Sequence, residues 1–240
     1  MVIIHDARLP GEYVGRMKEL IPEAVPLSFD MSVTGRPYDT VINHPDIYFC
    51  DLGRVVVCSP DVPEKYTDVF AEAGIAVVRG EREAGAGYPD TARYNAVAVG
   101  RVFMHNLNLT DRKLLHEAEK AGYELVHVKQ GYARCAVVIA GENAIVTADK
   151  GIASAAKKNG LEVLEITDAE ISLPGETRGF LGGASGYLPG EAVLFLGDIT
   201  RHPDFSRMAA FLGEHSTGWY SMEGLKLYDA GSLIISCGRI

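Results

Sequence analysis

The chain has 240 residues, of which 47% are hydrophobic and 23% charged, with a net charge of -9 and a pI of about 5.3. That composition belongs to a globular protein with enough apolar material for a sizeable core, and residues 1–240 are read as a single domain. An acidic chain without a basic patch repels phosphate backbones, which excludes nucleic acid as an expected partner.

The first residues, Met1 to Asp6, are apolar and end on an acid, without the basic start and long apolar stretch of a signal peptide. No run approaches the ~18 apolar residues of a membrane span, so no membrane partner is expected and the chain reads as cytoplasmic. Val2-Ile-Ile-His5 leads into a helix over Gly11 to Leu20 and a strand over Ala24 to Phe29. A strand from Ile47 to Cys50 turns at Asp51-Leu-Gly53 into Arg54 to Cys58, followed by a helix over Pro63 to Ala73 and a strand over Ile75 to Val78. The same order returns in Tyr94 to Ala98, Arg101 to His105, a helix over Asp111 to Ala121 and Glu124 to Val128. It returns again in Cys135 to Ile139, Ala144 to Thr147, a helix over Ile152 to Asn159 and Glu162 to Ile166. A fourth copy runs through Gly186 to Leu188, Val193 to Gly197 and a helix around Asp204 to Leu212. Glycines after the first three of these later helices (Gly74, Gly122, Gly160) are helix stops.

The unit is strand, turn, strand, helix, strand, with a period of roughly 40–50 residues, the range of arrays and propellers. The last strand, Ser232 to Ser236, has no successor, and the first strand, Val2 to His5, has no predecessor. Joining them completes a fifth unit shared by the two termini. The fold expected is therefore a closed five-bladed pseudo-symmetric α/β propeller, with an open α/β sheet as the alternative.

Two stretches sharpen this. Gly131-Tyr-Ala-Arg-Cys-Ala-Val-Val-Ile139, with its sequel Ala144-Ile-Val-Thr-Ala-Asp-Lys-Gly-Ile152, and Gly179-Phe-Leu-Gly-Gly-Ala-Ser-Gly186 resemble an uncharacterised bacterial branch of the pentein superfamily. That superfamily contains the guanidino-group-modifying hydrolases and amidinotransferases, and also a ribosome-associated initiation factor that is not an enzyme. The resemblance implies a Cys nucleophile at the start of the last unit's first strand. It also implies a His and an acid at the start of the third unit's first strand, and acids that clamp the guanidinium. The sequence departs from each. Gly131-Tyr132-Ala133-Arg134 lacks the His and the acid, Leu181 precedes Gly182-Gly183 where an acid is expected, and Ala230-Gly231-Ser232-Leu233 contains no Cys.

In such a ring the site faces the starts of the first strands and the ends of the second. Candidates from first-strand starts are Asn43, His44, Asp90, Arg93, Asn95, Tyr132, Arg134, Cys135, Ser185 and Ser232. Those from second-strand ends are His5, Asp6, Cys58, Ser59, His105, Asn106, Thr147, Asp149, Lys150 and Asp198. Ser59, Asp149, Asp198 and Asp6 equally suit helix caps, and the two histidines equally suit buried, satisfied imidazoles. Cys135 is the nucleophile candidate and His105 its catalytic companion, with Arg134, Lys150 and His105 as sources of positive charge to lower the thiol pKa. A small buried core cysteine is the structural alternative. Cys237 lies at the turn end of its strand, ~16 Å from the site by strand rise, and is set aside.

Gly182-Gly183 reads as a turn permitting close backbone approach rather than a P-loop. His44-Pro-Asp46 and His202-Pro-Asp204 read as stiffened turns, and Asp168 to Leu181 as a lid or a surface excursion. Four scattered cysteines without a CxxC pair predict neither disulfides nor zinc, and no cofactor or metal is expected. Three functions follow. One is a hydrolase or transferase acting on a guanidine- or amidine-containing small molecule in a polar central pocket. The second is a non-catalytic pentein that binds a small molecule or a protein. The third, a metal-dependent hydrolase using His5, Asp6, His105 and Asp198, requires those ends to converge.

Overall fold

The computed structural model describes residues 1–32 and 38–236; Cys237 lies outside the described residues. The strands are β1 (Val2–Asp6), β2 (Val25–Phe29), β3 (Phe49–Asp51), β4 (Val55–Cys58), β5 (Ala76–Arg79), β6 (Val97–Val99), β7 (Val102–His105) and β8 (Glu124–His127). They continue as β9 (Val137–Gly141), β10 (Ala144–Thr147), β11 (Glu162–Glu165), β12 (Ser185–Leu188), β13 (Ala192–Phe195), β14 (Gly218–Tyr220) and β15 (Ile234–Ser236). The helices are α1 (Gly11–Leu20), α2 (Glu64–Glu72), α3 (Arg112–Lys120), α4 (Lys150–Lys158) and α5 (Phe205–Glu214).

These elements form five three-stranded sheets: β3-β4-β5, β6-β7-β8, β9-β10-β11, β12-β13-β14 and β15-β1-β2. In each, the first two strands are antiparallel and a helix carries the chain over to a third, parallel strand. The fifth unit is shared by the termini: β15 pairs antiparallel with β1, Ile3 opposite Ile235 and Ile4 opposite Ile234.

Alternation along the middle strands closes the ring. Successive side chains leave a strand on opposite faces, and in this chain both faces meet a neighbouring unit. Ile4 packs with Phe49, Val56 and Phe70 of the first unit, whereas Ile3 packs with Leu188 and Leu194 of the fourth. Val57 joins Phe103 and Leu114 of the second unit. Val102 and Met104 join Val137 and Ile145 of the third, and Val146 joins Val193 and Phe195 of the fourth. Every apolar cluster thus joins two adjacent units. This is why β7, β10 and β13 are buried along their whole length, a pattern of continuous apolar residues rather than apolar-polar alternation.

Element edges differ from the sequence reading in two places. The first strands begin two or three residues later than expected at Phe49, Val97 and Val137, because 3-10 turns at Pro45–Ile47 and Asp90–Ala92 and tight turns before Val137 occupy the preceding residues. The fourth unit also has a third strand, β14, whose short, partly exposed Gly-Trp-Tyr gives no alternation to read. Among the described residues no helix is long and apolar enough to cross a membrane.

Candidate functional site

Loops feeding the first strands converge on the ring axis and build a plug of polar side chains. Asp46, from the 3-10 turn before β3, lies at its centre. Its Oδ2 accepts hydrogen bonds from the Cys135 thiol at 2.9 Å and the Ser232 hydroxyl at 2.8 Å. Its Oδ1 has no partner among the described residues. Asn95 ties three loops together. Its Oδ1 accepts the backbone N–H groups of Arg134 and Cys135, and its Nδ2 donates to Cys135 Sγ and to the Asp46 carbonyl, both at 3.2 Å. Ser232, at φ 60°, and Ser185 both reach the Gly182 carbonyl.

The Gly182-Gly183 pair makes this convergence possible. A Cβ on Gly182 would collide with the carbonyl oxygens of Arg134, Cys135 and Val137, and one on Gly183 with the Asp229 carboxylate. Close backbone approach, the reading taken from the sequence, is what the pair provides.

The plug separates two cavities. At the strand-start end lies a cavity of about 260 Å³ bounded by Cys135, His44, Asp229, Tyr132, Phe180 and Arg178, with Leu173 and Glu176 over it. Residues 173–180 therefore form one wall, which places the long segment between β11 and β12 at the site. Asp229 accepts from the backbone N–H of Phe180 at 2.8 Å and of Gly231 at 3.0 Å. Burial raises its pKa, and nearby His44 draws it back. His44 is itself held below its usual pKa by burial, against the pull of Asp229 and of Asp6, whose Oδ2 is 3.7 Å from Nε2. At the opposite, hairpin end lies a cavity of about 670 Å³ lined by Arg134 and by turn residues Asp51, Gly53, Arg101, Glu142 and Asn143.

Several expectations need correction. Arg134 does not share a cavity with Cys135: its guanidinium faces the hairpin end and donates to the Val137 carbonyl at 3.0 Å. Neighbouring residues project to opposite sides, so the sign of charge near the thiol is reversed. Cys135 is 5% exposed, and its pKa lies well above the usual thiol value, through burial first and then the acids Asp46 and Asp229. Positive charge from Arg134, Lys150 and His105 does not activate it. His105 has both ring nitrogens engaged, Nε2 with the Gly131 carbonyl and Nδ1 with Thr110 Oγ1, each at 2.7 Å. Burial lowers its pKa to about 4, so it is a neutral anchor for the loop that carries Cys135.

Asp90 is exposed and paired with Arg93, whose guanidinium also holds the Glu83 carbonyl. Asn43 is spent on the Met31 N–H, and Asn106 on the Lys129 carbonyl. Asp149 caps α4, Lys150 is exposed at its first turn, and Asp198 caps the turn Ile199–Arg201. None of these side chains bounds the strand-start cavity. Of the candidates, Asn95, Cys135 and Ser232 meet in the plug, with Ser185 bonded beside it, and His44, Tyr132 and Cys135 line the cavity. His5 bonds the Asp6 carbonyl and Asp6 pairs with Arg8, so the four proposed metal ligands do not converge; among the described residues no three acidic, Cys or His side chains are placed to hold one ion.

Two functional residues lie outside the sequence candidates. Asp46 has only the stiffened tripeptide His44-Pro-Asp46 to mark it in the sequence. Asp229 sits just before Ala230-Gly231-Ser232, and an acid two residues ahead of a glycine in the segment expected to carry the nucleophile is the signal the sequence offers.

The model of a family of unknown function (DUF6873) matches residues 18–234. No curated protein matches. Several solved structures do. A dimethylarginine dimethylaminohydrolase from Pseudomonas aeruginosa, a mutant complexed with citrulline, is 12% identical, with 92% of this chain and 91% of that chain covered and a TM-score of 0.52. An inosamine-phosphate amidinotransferase from Streptomyces griseus is 10% identical, with 95% and 81% covered and a TM-score of 0.58. An amidinotransferase of saxitoxin biosynthesis from Microseira wollei is 10% identical, with 99% and 94% covered and a TM-score of 0.52. At these identities the likeness speaks for the fold alone. The five-unit ring is the pentein fold, and the chain belongs to the DUF6873 family of unknown function.

Proposed function

We propose that this chain binds a small guanidine- or amidine-bearing molecule in the cavity at the strand-start end. The observation that carries the reading is Asp229, a carboxylate on the cavity wall that accepts hydrogen bonds from the backbone N–H groups of Phe180 and Gly231. Ionised carboxylates have about four acceptor sites, so capacity remains for a planar cation. Tyr132 and Phe180 offer aromatic faces on which a guanidinium is favoured over a neutral group of the same shape. Structures of similar shape that are named a dimethylarginine dimethylaminohydrolase and an amidinotransferase agree with this class of ligand. Calorimetric titration with L-arginine, agmatine and methylguanidine, against urea and citrulline as neutral counterparts, tests it. Saturable binding of a guanidine with none for its neutral counterpart is expected; equal binding of both, or of neither, overturns the reading.

A second reading, covalent turnover at Cys135, is favoured by one arrangement. Cys135 and His44 line the same cavity, and Asp46 Oδ2 is 2.9 Å from the thiol, within reach of its proton. The resting thiol is protonated, so turnover requires that transfer before the sulfur attacks the guanidinium carbon; a C–N bond then breaks, the proton leaves with the expelled ammonia or amine, and water cleaves the S–C bond to restore the thiol. Release of ammonia or amine by the wild type, abolished in Cys135→Ala, is the result this reading requires. Undiminished release in the variant rules out the thiol.

A further inference from the structure

We propose that the hairpin-end cavity is a second ligand site, which takes a small monocarboxylate with an apolar tail and holds its carboxylate on Arg134. The proposal is independent of what occupies the strand-start end.

Arg134 is 9% exposed and bounds this cavity. Among the described residues, one of its five side-chain N–H donors is placed, on the Val137 carbonyl. Among the described residues no carboxylate lies within ion-pair distance of it. A desolvated cation without a counter-charge is costly, and structures retain one where something pairs with it. The acids that act on it at longer range are Asp46, inside the plug, and Asp51, at the rim; burial outweighs both and holds its pKa below the usual arginine value.

The surroundings select the ligand. Ala96, Ala98, Val99, Ile139, Leu233 and Ile235 make an apolar funnel above the guanidinium. Among the described residues the charged side chains along the cavity are Arg134, Arg101, Asp51 and Glu142. One negative charge compensates Arg134; a polyphosphate would bring excess charge into an apolar channel. A carboxylate matches the planar fork of a guanidinium, and an aliphatic tail matches the funnel. The strand-start cavity offers the reverse, a buried carboxylate with aromatic walls.

Hexanoate is the probe, with 1-hexanol as its neutral counterpart and inorganic phosphate as the competing anion, each titrated into the full chain by calorimetry and by NMR chemical-shift mapping. Hexanoate is expected to bind saturably and to shift resonances of residues at the hairpin turns, with hexanol and phosphate weaker. Arg134→Met is expected to weaken hexanoate by about tenfold or more, the usual worth of a hydrogen bond to a charged group, and to leave hexanol unchanged. Ala98→Phe, which keeps the guanidinium and narrows the funnel, is expected to weaken hexanoate as well and guards against a fold defect in the first variant. Equal binding of hexanoate and hexanol, full affinity in either variant, tighter binding of phosphate, or no saturable hexanoate binding in the millimolar range would each overturn the proposal.

Discussion

The two mouths of this ring meet at one loop, the one before β9, and have opposite chemistry. At the strand-start mouth the loop before β9 contributes Cys135, beside Asp229 and His44. At the hairpin mouth the same loop contributes Arg134. Between them, Asp46 holds Cys135 and Ser232, and Asn95 grips the backbone on both sides. One residue step therefore decides whether a side chain meets an acidic pocket or an apolar funnel. The thiol is left with acids as neighbours, and the guanidinium without a close one among the described residues. In this ring, the chemistry a side chain meets is set by the side of the plug to which it is directed.

The comparison breaks most completely where both mouths share backbone. Gly182→Ala forces a Cβ against carbonyl oxygens of the loop carrying both Arg134 and Cys135, and is expected to cost about 3 kcal/mol in urea unfolding while weakening both cavities. A loss confined to one cavity would show that the mouths are not mechanically joined.

His105 anchors that same loop from outside, and its effect is visible in pH. Its folded pKa of about 4 lies below the free-imidazole value of 6.5. The folded state binds fewer protons there, so the stability it supports is present above pH 6.5 and is lost as pH falls toward 4, by about 3 kcal/mol. Asp46 and Asp229 act with the opposite sign, since their raised pKa values make stability fall as pH rises through their titration. The difference between wild type and His105→Gln isolates the imidazole: the variant is expected to be less stable near neutrality and flatter between pH 6.5 and 4. Parallel pH profiles would remove His105 from the account.

Arg134→Met sharpens the contrast. Exchanging a buried cation that lacks a close partner for an apolar chain of similar length is expected to change stability by about 1 kcal/mol or less, or to raise it. A loss of several kcal/mol would mean that the guanidinium holds the plug together. The smallest effect concerns the thiol. Alkylation of Cys135 by iodoacetamide is expected to be slow at neutral pH and to accelerate only above the usual thiol range, because burial and two acids disfavour the thiolate. Rapid alkylation at pH 7, located at Cys135 by mass spectrometry, would contradict the electrostatics given for this end.

How much of this was readable in the residues depended on range. The hairpins, helices and split fifth unit are local events, marked by turn glycines and by apolar runs, and the β15-β1 pairing of the termini followed from counting strands. The placement of Cys135 at the strand-start end followed from the same topology. The direction of Arg134 did not, because β9 starts at Val137 rather than Cys135, which leaves Arg134 and Cys135 in the preceding turn, where strand alternation does not set side-chain direction. Asp46 and Asp229 belong to loops far apart in sequence, and their meeting with Cys135 near the axis is a product of ring closure. His105 was legible only as a choice between site and anchor; its two partners, Thr110 and Gly131, decide it.

The claim that the strand-start mouth recognises a cation through Asp229 is tested most directly by one titration. Wild type and Asp229→Asn are titrated in parallel with the guanidine that binds wild type best, with hexanoate as the control for an intact ring. The account predicts that Asp229→Asn weakens the guanidine by about tenfold or more while hexanoate affinity is unchanged. Undiminished guanidine affinity in Asp229→Asn would contradict it.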